Sequence, residues 1–182
     1  MRRNTILTLT LGFLAMNLQG GSAMAQTTVA PTHVSNSFQF VLQEPLSRAA
    51  PLFGPQAELC WAGENWKPEF VHPQPGEDVE GAVFLVQHGR HKSVWVNTIF
   101  DLAGGRMQYV AIIPEVVAFV VDVRLTAAGA SSTNVAVTYV RTALDAALNG
   151  DVEAMGKRDR ESGPEWKRDI ESCLKGQSGD AH

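Results

Sequence analysis

Residues 79–141 constrain the fold more than any other part of the chain, because they carry five consecutive β-strand patterns. The five runs are rich in β-branched and aromatic residues. They cover residues 80–87, 91–101, 106–113, 116–125 and 133–141. The breaks between them are short and contain turn formers such as Gly89, Gly104 and Gly129. Because a parallel connection needs a dozen or more residues, these strands must be antiparallel neighbours, and their apolar face needs a cover.

The segment 1–25 has the pattern of a secretory signal peptide. It begins with Arg2 and Arg3, continues with an apolar stretch at 6–18 that is too short to span a membrane, and ends in the cleavage motif Ala23-Met24-Ala25. We therefore expect cleavage after Ala25 and a periplasmic or secreted protein.

A single domain at 33–176 is expected after cleavage, preceded by a flexible leader at 26–32 and followed by a disordered tail at 177–182. Removal of 1–25 takes away two arginines and no acidic residue, so the formal charge changes from −4 to −6. An acidic domain without a basic stripe argues against nucleic acid as a partner. No later stretch of the sequence is long and apolar enough to cross a membrane.

The remaining elements follow from prolines and from helical periodicity. A strand is expected at 33–43, and two short helices introduced by prolines at 46–53 and 56–61. After the strands, a helical pattern at 142–155 is weakened by two glycines, and a further helix is expected at 164–174. One face of that last helix could cover the sheet and carries Trp166, Ile170, Cys173 and Leu174.

The cysteines, Cys60 and Cys173, leave two alternatives open. Export would permit a disulfide between them. Two separate buried thiols would instead behave as small hydrophobic side chains. The sequence does not decide between these states, because it does not show whether the two Cα atoms approach within disulfide range.

Several motifs link this chain to a known family. Glu58-x-x-Trp61-Ala62 and Trp66-x-Pro68-Glu69-Phe70-Val71 precede the strand that starts with Gly81-Ala82-Val83-Phe84, and Tyr109 and Val137-Thr138-Tyr139 lie in later strands. The chain resembles the START-like superfamily, also called SRPBCC, which includes polyketide cyclase/dehydrase-like proteins. The resemblance implies an α+β helix-grip fold, in which an antiparallel sheet curves around a long C-terminal helix and two short helices follow the first strand.

In that fold an apolar cavity lies between the sheet and the helix, so the resemblance implies a small hydrophobic ligand. No cofactor is expected. Strand alternation predicts an apolar inner face made by Val117, Phe119, Val121, Val123 and Leu125. The expected ligand contacts are Trp61, Trp66, Phe84, Tyr109, Phe119 and Tyr139. The alternative for the tryptophans is packing alone, and for the tyrosines internal hydrogen bonding.

No motif for catalysis is present: the sequence has no Gly-x-Ser-x-Gly elbow, no P-loop and no Gly-x-Gly-x-x-Gly. His72, His88 and His91 would form a metal site only if their loops converged, and solvated turn histidines are the favoured interpretation, so no metal is expected. Glu58 and Glu69 lie beside the tryptophans, where they could cap a segment or pair with Lys67; a general-acid role is a further alternative that no sequence motif supports.

The sequence therefore favours a binding protein for a small hydrophobic molecule and leaves its ligand and oligomeric state open. One alternative is a cyclase, dehydratase or hydrolase acting on a lipophilic substrate. Another is an interaction module with a filled core and no catalytic role.

Two of these expectations can be tested by one measurement. Intact mass spectrometry of the exported protein without reductant should give the mass of residues 26–182, because cleavage is expected after Ala25. The same spectrum, repeated after alkylation, counts free thiols. A mass that retains residues 1–25 would contradict the signal peptide.

Overall fold

Seven strands form one antiparallel sheet in the computed structural model, which describes residues 29–179. The strands are β1 (His33–Leu42), β2 (Glu69–His72), β3 (Val83–His88), β4 (His91–Asp101), β5 (Arg106–Ile113), β6 (Val117–Gly129) and β7 (Ser132–Ala143). The predicted signal peptide, the leader residues 26–28 and the tail residues 180–182 lie outside the described residues.

The strand order confirms the predicted antiparallel connections and shows where the first strand lies. The order across the sheet is β1-β7-β6-β5-β4-β3-β2, so consecutive strands from β2 to β7 are direct neighbours. β1 pairs antiparallel with β7, with His33 opposite Thr142 and Leu42 opposite Thr133. The first and last strands of the chain therefore lie together at one edge of the sheet.

The short helices lie between β1 and β2, as expected from the two prolines. The helix α1 (Leu46–Ala49) continues as a 3-10 helix at Ala50–Phe53, and a second 3-10 helix covers Ala57–Cys60. Asp78 caps the second one, since its carboxylate accepts hydrogen bonds from the backbone N–H groups of Gln56 and Ala57 at 2.7 and 3.1 Å.

The predicted helix at 142–155 is wrong in its position. Residues 142 and 143 still belong to β7, because Thr142 pairs with His33. A 3-10 turn at Ala146–Leu148 follows, and α2 (Asn149–Glu161) begins seven residues later than expected. α2 packs against β1 so closely that a Cβ at Gly156 would lie 2.5 Å from Asn36 Nδ2. This glycine therefore permits close packing of the helix on the strand.

The ends of the domain also differ from expectation. Residues 30–32 are not a free leader, because Asn149 donates to the carbonyl of Ala30 at 3.0 Å and accepts from Thr32 N–H at 2.7 Å. The last helix, α3 (Gly163–Gly179), continues through Gly176 for three more residues.

The inner face of β6 agrees with the prediction. All five predicted residues are buried: Val117, Phe119, Val121, Val123 and Leu125. On the opposite face, the Asp122 carboxylate binds Arg106 at 3.2 Å and Arg124 at 2.7 Å, which holds the pKa of Asp122 below its ordinary value. Alternation was therefore a reliable guide where only one face was apolar.

The helix α3 covers the sheet with the predicted face. Ile170, Cys173 and Leu174 are buried, and the ring of Trp166 packs against Phe38 and Trp61 at centroid distances of 5.2 and 4.9 Å. Among the described helices, none is long and apolar enough to span a membrane.

Two interactions fix the helices to the sheet and to the loops. Cys60 and Cys173 form a disulfide with their Cα atoms 5.6 Å apart, so the first of the two alternatives holds in this structure. Arg141 of β7 and Asp159 of α2 form a bidentate ion pair, with N–O distances of 2.6 and 2.7 Å. Both side chains of this pair are largely buried, at 12% and 8% exposure.

Removal of the disulfide should destabilise the protein strongly. The bond closes a loop across a sequence separation of 113 residues, for which the chain-entropy model gives about 4–5 kcal/mol. We expect the double variant C60S/C173S to lose most of this amount in urea unfolding. The wild type measured with and without reductant serves as the matched comparison, and equal midpoints in both would contradict the expectation.

Candidate ligand-binding cavity

A cavity of about 330 Å³ lies between the sheet, the segment 58–66 and α3. The inner faces of β4, β5, β6 and β7 form its floor, with Trp95, Tyr109, Val121, Val123 and Tyr139. Glu58, Trp61 and Trp66 form one side of the cavity, and Glu165, Trp166 and Asp169 of α3 form the other. The cavity is therefore located where the resemblance implied it, between the sheet and the C-terminal helix.

Every tryptophan and every tyrosine of the chain lines this cavity. The sequence has four tryptophans and two tyrosines, and all six line the same space: Trp61, Trp66, Trp95, Trp166, Tyr109 and Tyr139. Four of these were predicted as ligand contacts, and Trp95 and Trp166 were not. Trp95 lies in a predicted strand and Trp166 on the apolar face of a predicted helix, and both positions indicated only that the side chains belong to the core.

Phe84 and Phe119 were also predicted as ligand contacts, but they do not line the cavity. Trp95 contacts both rings, at centroid distances of 5.8 Å to Phe84 and 5.2 Å to Phe119. The ring of Phe119 also carries the guanidinium of Arg141 at 4.7 Å. Phe84 lies directly opposite Trp95 in the sheet, and Ala111 lies between Trp95 and Phe119 in the same row, so both phenylalanines pack beside the cavity-lining tryptophan.

Most polar atoms of the aromatic residues are already bonded within the protein. The indole N–H groups of Trp61 and Trp66 donate to the carbonyls of Leu52 and Pro55 at 2.7 and 2.8 Å. Trp95 donates to the Ser93 hydroxyl at 2.7 Å. These bonds fix the rings in place and leave them with apolar ring surface, and no N–H group, to offer a ligand.

The two tyrosines differ in their hydroxyl groups. Tyr109 donates a hydrogen bond to the carbonyl of Phe53. Among the described residues, no hydrogen bond to the hydroxyl of Tyr139 is present, although the guanidinium of Arg141 stacks on its ring at 4.7 Å. Burial raises the pKa of both tyrosines, so both hydroxyls stay protonated.

Glu58 is the acidic residue placed deepest in the cavity wall. It lies on the 3-10 helix Ala57–Cys60 and is 9% exposed. Its side chain takes part in no hydrogen bond or ion pair within the part of the chain that the structure describes. Burial, and to a smaller extent the charge of Asp78, raises the pKa of Glu58 well above its ordinary value.

The predicted pairing of these glutamates with Lys67 is wrong, whereas the general-acid alternative stays a prediction. Neither pairs with Lys67: Glu69 binds Lys92 at 2.6 Å, and Glu58 faces the cavity. The sequence did not show that the two glutamates have different surroundings, because each of them lies near a tryptophan.

The carboxylates of α3 differ from Glu58, because a cation accompanies them. Arg168 binds Asp169 at 2.8 Å and approaches Glu165 at 3.9 Å, on the exposed side of the helix. In the part of the chain that the structure describes, no lysine or arginine lines the cavity. The three predicted candidates for a metal site, His72, His88 and His91, are not gathered: residues 29–179 contain no group of three or more His, Cys, Asp or Glu that could hold a metal.

Comparison with solved structures assigns the fold. Norcoclaurine synthase from Thalictrum flavum, in complex with dopamine and hydroxybenzaldehyde, is similar with a TM-score of 0.60 and 10% identity, over 96% of this chain and 99% of that one. The chain has the helix-grip fold. This fold confirms the α+β arrangement that the sequence motifs implied.

Two bacterial proteins share the same helix-grip fold. An uncharacterised protein from Rhizobium leguminosarum gives a TM-score of 0.57 at 13% identity, over 79% of this chain and 97% of that one. The Mll3558 protein from Rhizobium loti gives 0.50 at 17% identity, over 70% and 93%. No family model matches the chain, and no curated protein sequence matches it either.

The buried carboxyl predicts a specific dependence of stability on pH. Because the pKa of Glu58 is raised in the folded state, wild type loses unfolding free energy as the pH rises from the ordinary glutamate pKa of about 4.3 through the raised value. In the variant E58Q this group does not titrate. We expect the stability of E58Q relative to wild type, measured by urea unfolding, to increase as the pH rises above about 4.3.

The exposed Glu64 lies in the same segment and provides the control. E64Q should follow the pH dependence of wild type, since water solvates its carboxylate. If E58Q and E64Q have the same pH profile, Glu58 is not buried as the structure shows.

Proposed function

We propose that this protein binds a small hydrophobic molecule in the cavity between the sheet and α3. The observation that carries the proposal is the placement of all four tryptophans and both tyrosines around one space. A packed core would spread these large rings through the interior, and it would leave no void of this size. The alternative of an interaction module with a filled core fits this geometry poorly.

The size and the chemistry of the cavity restrict the ligand. Its volume of about 330 Å³ is at the low end of the roughly 300–1,000 Å³ of small-molecule sites, which favours a compact ligand over a long acyl chain. Binding is driven by burial of apolar surface, worth about 25 cal/mol per Å² before the costs of association.

Binding is proposed to occur outside the cytoplasm. The signal-peptide pattern of residues 1–25 supports this location. The disulfide between Cys60 and Cys173 supports it independently, because such bonds persist in oxidising compartments.

A second candidate function is acid-catalysed conversion of a lipophilic substrate. Glu58 is the observation that favours it, since a buried carboxyl with a raised pKa in a cavity is a typical general acid. The Tyr139 hydroxyl lines the same space and could contact the same molecule. Substrate turnover lost in E58Q with binding retained would favour this candidate over a carrier.

Filling the cavity should abolish binding without unfolding the protein. Val121 lines the cavity, whereas the next residue, Val120, lies on the opposite face of β6. We expect V121F to weaken uptake of the neutral dye N-phenyl-1-naphthylamine at least about tenfold. V120F should keep wild-type affinity. Dye fluorescence gives the affinities and circular dichroism confirms folding; equal affinity of both folded variants would contradict the proposed cavity.

A further inference from the structure

The carboxyl group of Glu58 lacks a partner at a place where it faces the cavity. Nine-tenths of the residue is buried, and its side chain forms no hydrogen bond or ion pair with the described residues. Buried carboxyl groups normally find such a partner, because an unmade interaction of a buried polar group is unfavourable. Among the described residues, the enclosed side-chain atoms without a partner are Asn36 Nδ2 and Asn97 Oδ1, so the unbonded oxygens of Glu58 are open to the cavity, where water or a ligand can supply the partner.

Within residues 29–179, no cationic side chain lines the cavity beside Glu58. The titratable groups facing it are Asp78, Tyr109 and Tyr139, together with Glu165 and Asp169 across the cavity. Arg141 is already bound to Asp159 through two hydrogen bonds. Arg168 lies on the exposed side of α3 and binds Asp169. The cavity therefore has an excess of groups that attract positive charge.

The aromatic residues that line the cavity also favour a positively charged ligand. The negative faces of aromatic rings attract cations, and indole does so most strongly. Four indoles and two phenols surround the space next to the carboxyl. The indole N–H groups of Trp61, Trp66 and Trp95 are bonded within the protein, so they do not compete as donors for an anionic ligand.

We propose that the ligand is a hydrophobic amine, bound as its ammonium cation with the Glu58 carboxylate as counter-ion and the tryptophan rings around its apolar part. This inference rests on the proposed binding function and adds the chemical class of the ligand. The amine N–H groups donate to the Glu58 oxygens, while the tryptophans exclude water from the pair. A neutral ligand would leave the carboxyl with a weaker partner.

Binding of the cation changes the protonation of the site. Burial favours the neutral carboxyl in the empty cavity, and a cation next to it favours the carboxylate. The amine is already protonated at neutral pH, so the proton that leaves Glu58 passes to the buffer. Amine binding therefore releases up to one proton, whereas a neutral ligand of the same shape releases none.

Two probes of equal shape test the inference by isothermal titration calorimetry of the mature, disulfide-bonded protein. They are 2-(1-naphthyl)ethylamine and 2-(1-naphthyl)ethanol. We expect wild type to bind the amine at least about tenfold more tightly than the alcohol. A hydrogen bond to a charged group contributes enough free energy for an affinity ratio of this size. In E58Q this preference should disappear while the alcohol still binds, and E64Q should behave as wild type.

Proton release is the second measurement. Titrations of the amine in two buffers of different ionisation enthalpy should give different apparent enthalpies for wild type and equal ones for E58Q. A preference for the amine that survives in E58Q would overturn the role of Glu58.

The two proposals fail in different ways. If both probes bind to wild type with equal affinity, or the alcohol binds more tightly, the amine inference is overturned and hydrophobic binding stands. If neither probe binds, both proposals are overturned.

Discussion

The apolar inner face of the sheet is the constraint on which the other elements depend. β6 alone presents five buried apolar side chains on that face, and a sheet cannot bury them without a second layer. α3 provides the layer, but it is held at its margins: Trp166 packs on Phe38 of β1, and Cys173 is bonded to Cys60. Val121 and Val123 are buried, and they line the cavity that lies between the sheet and α3.

The polar atoms around the cavity separate into two groups with different roles. Those of Trp61, Trp66, Trp95 and Tyr109 bind protein atoms and fix the walls. The carboxyl of Glu58 has no such bond among the described residues. Those oxygens are not among the enclosed unpaired atoms of the described residues, so they are open to the cavity. In the proposed binding function, a ligand that supplies a partner for them obtains its specificity at this one residue.

Local patterns predicted the parts of the structure that depend on neighbours in sequence. The inner face of β6 was predictable because its other face carries Asp122 and Arg124. In β4 both faces contain apolar residues, so alternation does not identify the buried one. The buried face carries Ser93 and Asn97, whose side chains donate hydrogen bonds to the carbonyls of Val86 and Val79. The pattern of apolar residues does not reveal these hydrogen bonds. The start of α2 was missed because Thr142 is held by His33, a partner 109 residues away. Phe84 and Phe119 are buried and contact Trp95, but which of these neighbouring rings borders the cavity depends on the position of α3 and of the segment 58–66, which strand alternation does not show.

The disulfide and the buried carboxyl belong to the same short segment, and their effects on it are opposed. Glu58 and Cys60 lie on the same four-residue 3-10 helix. Ionisation of Glu58 favours local opening of this helix, since opening would return the carboxylate to water. The bond from Cys60 to α3 restricts that opening because the segment cannot leave the cavity wall while α3 stays in place. The covalent link thus maintains an arrangement that solvation of the carboxylate would otherwise disrupt, and it keeps the group available to a ligand.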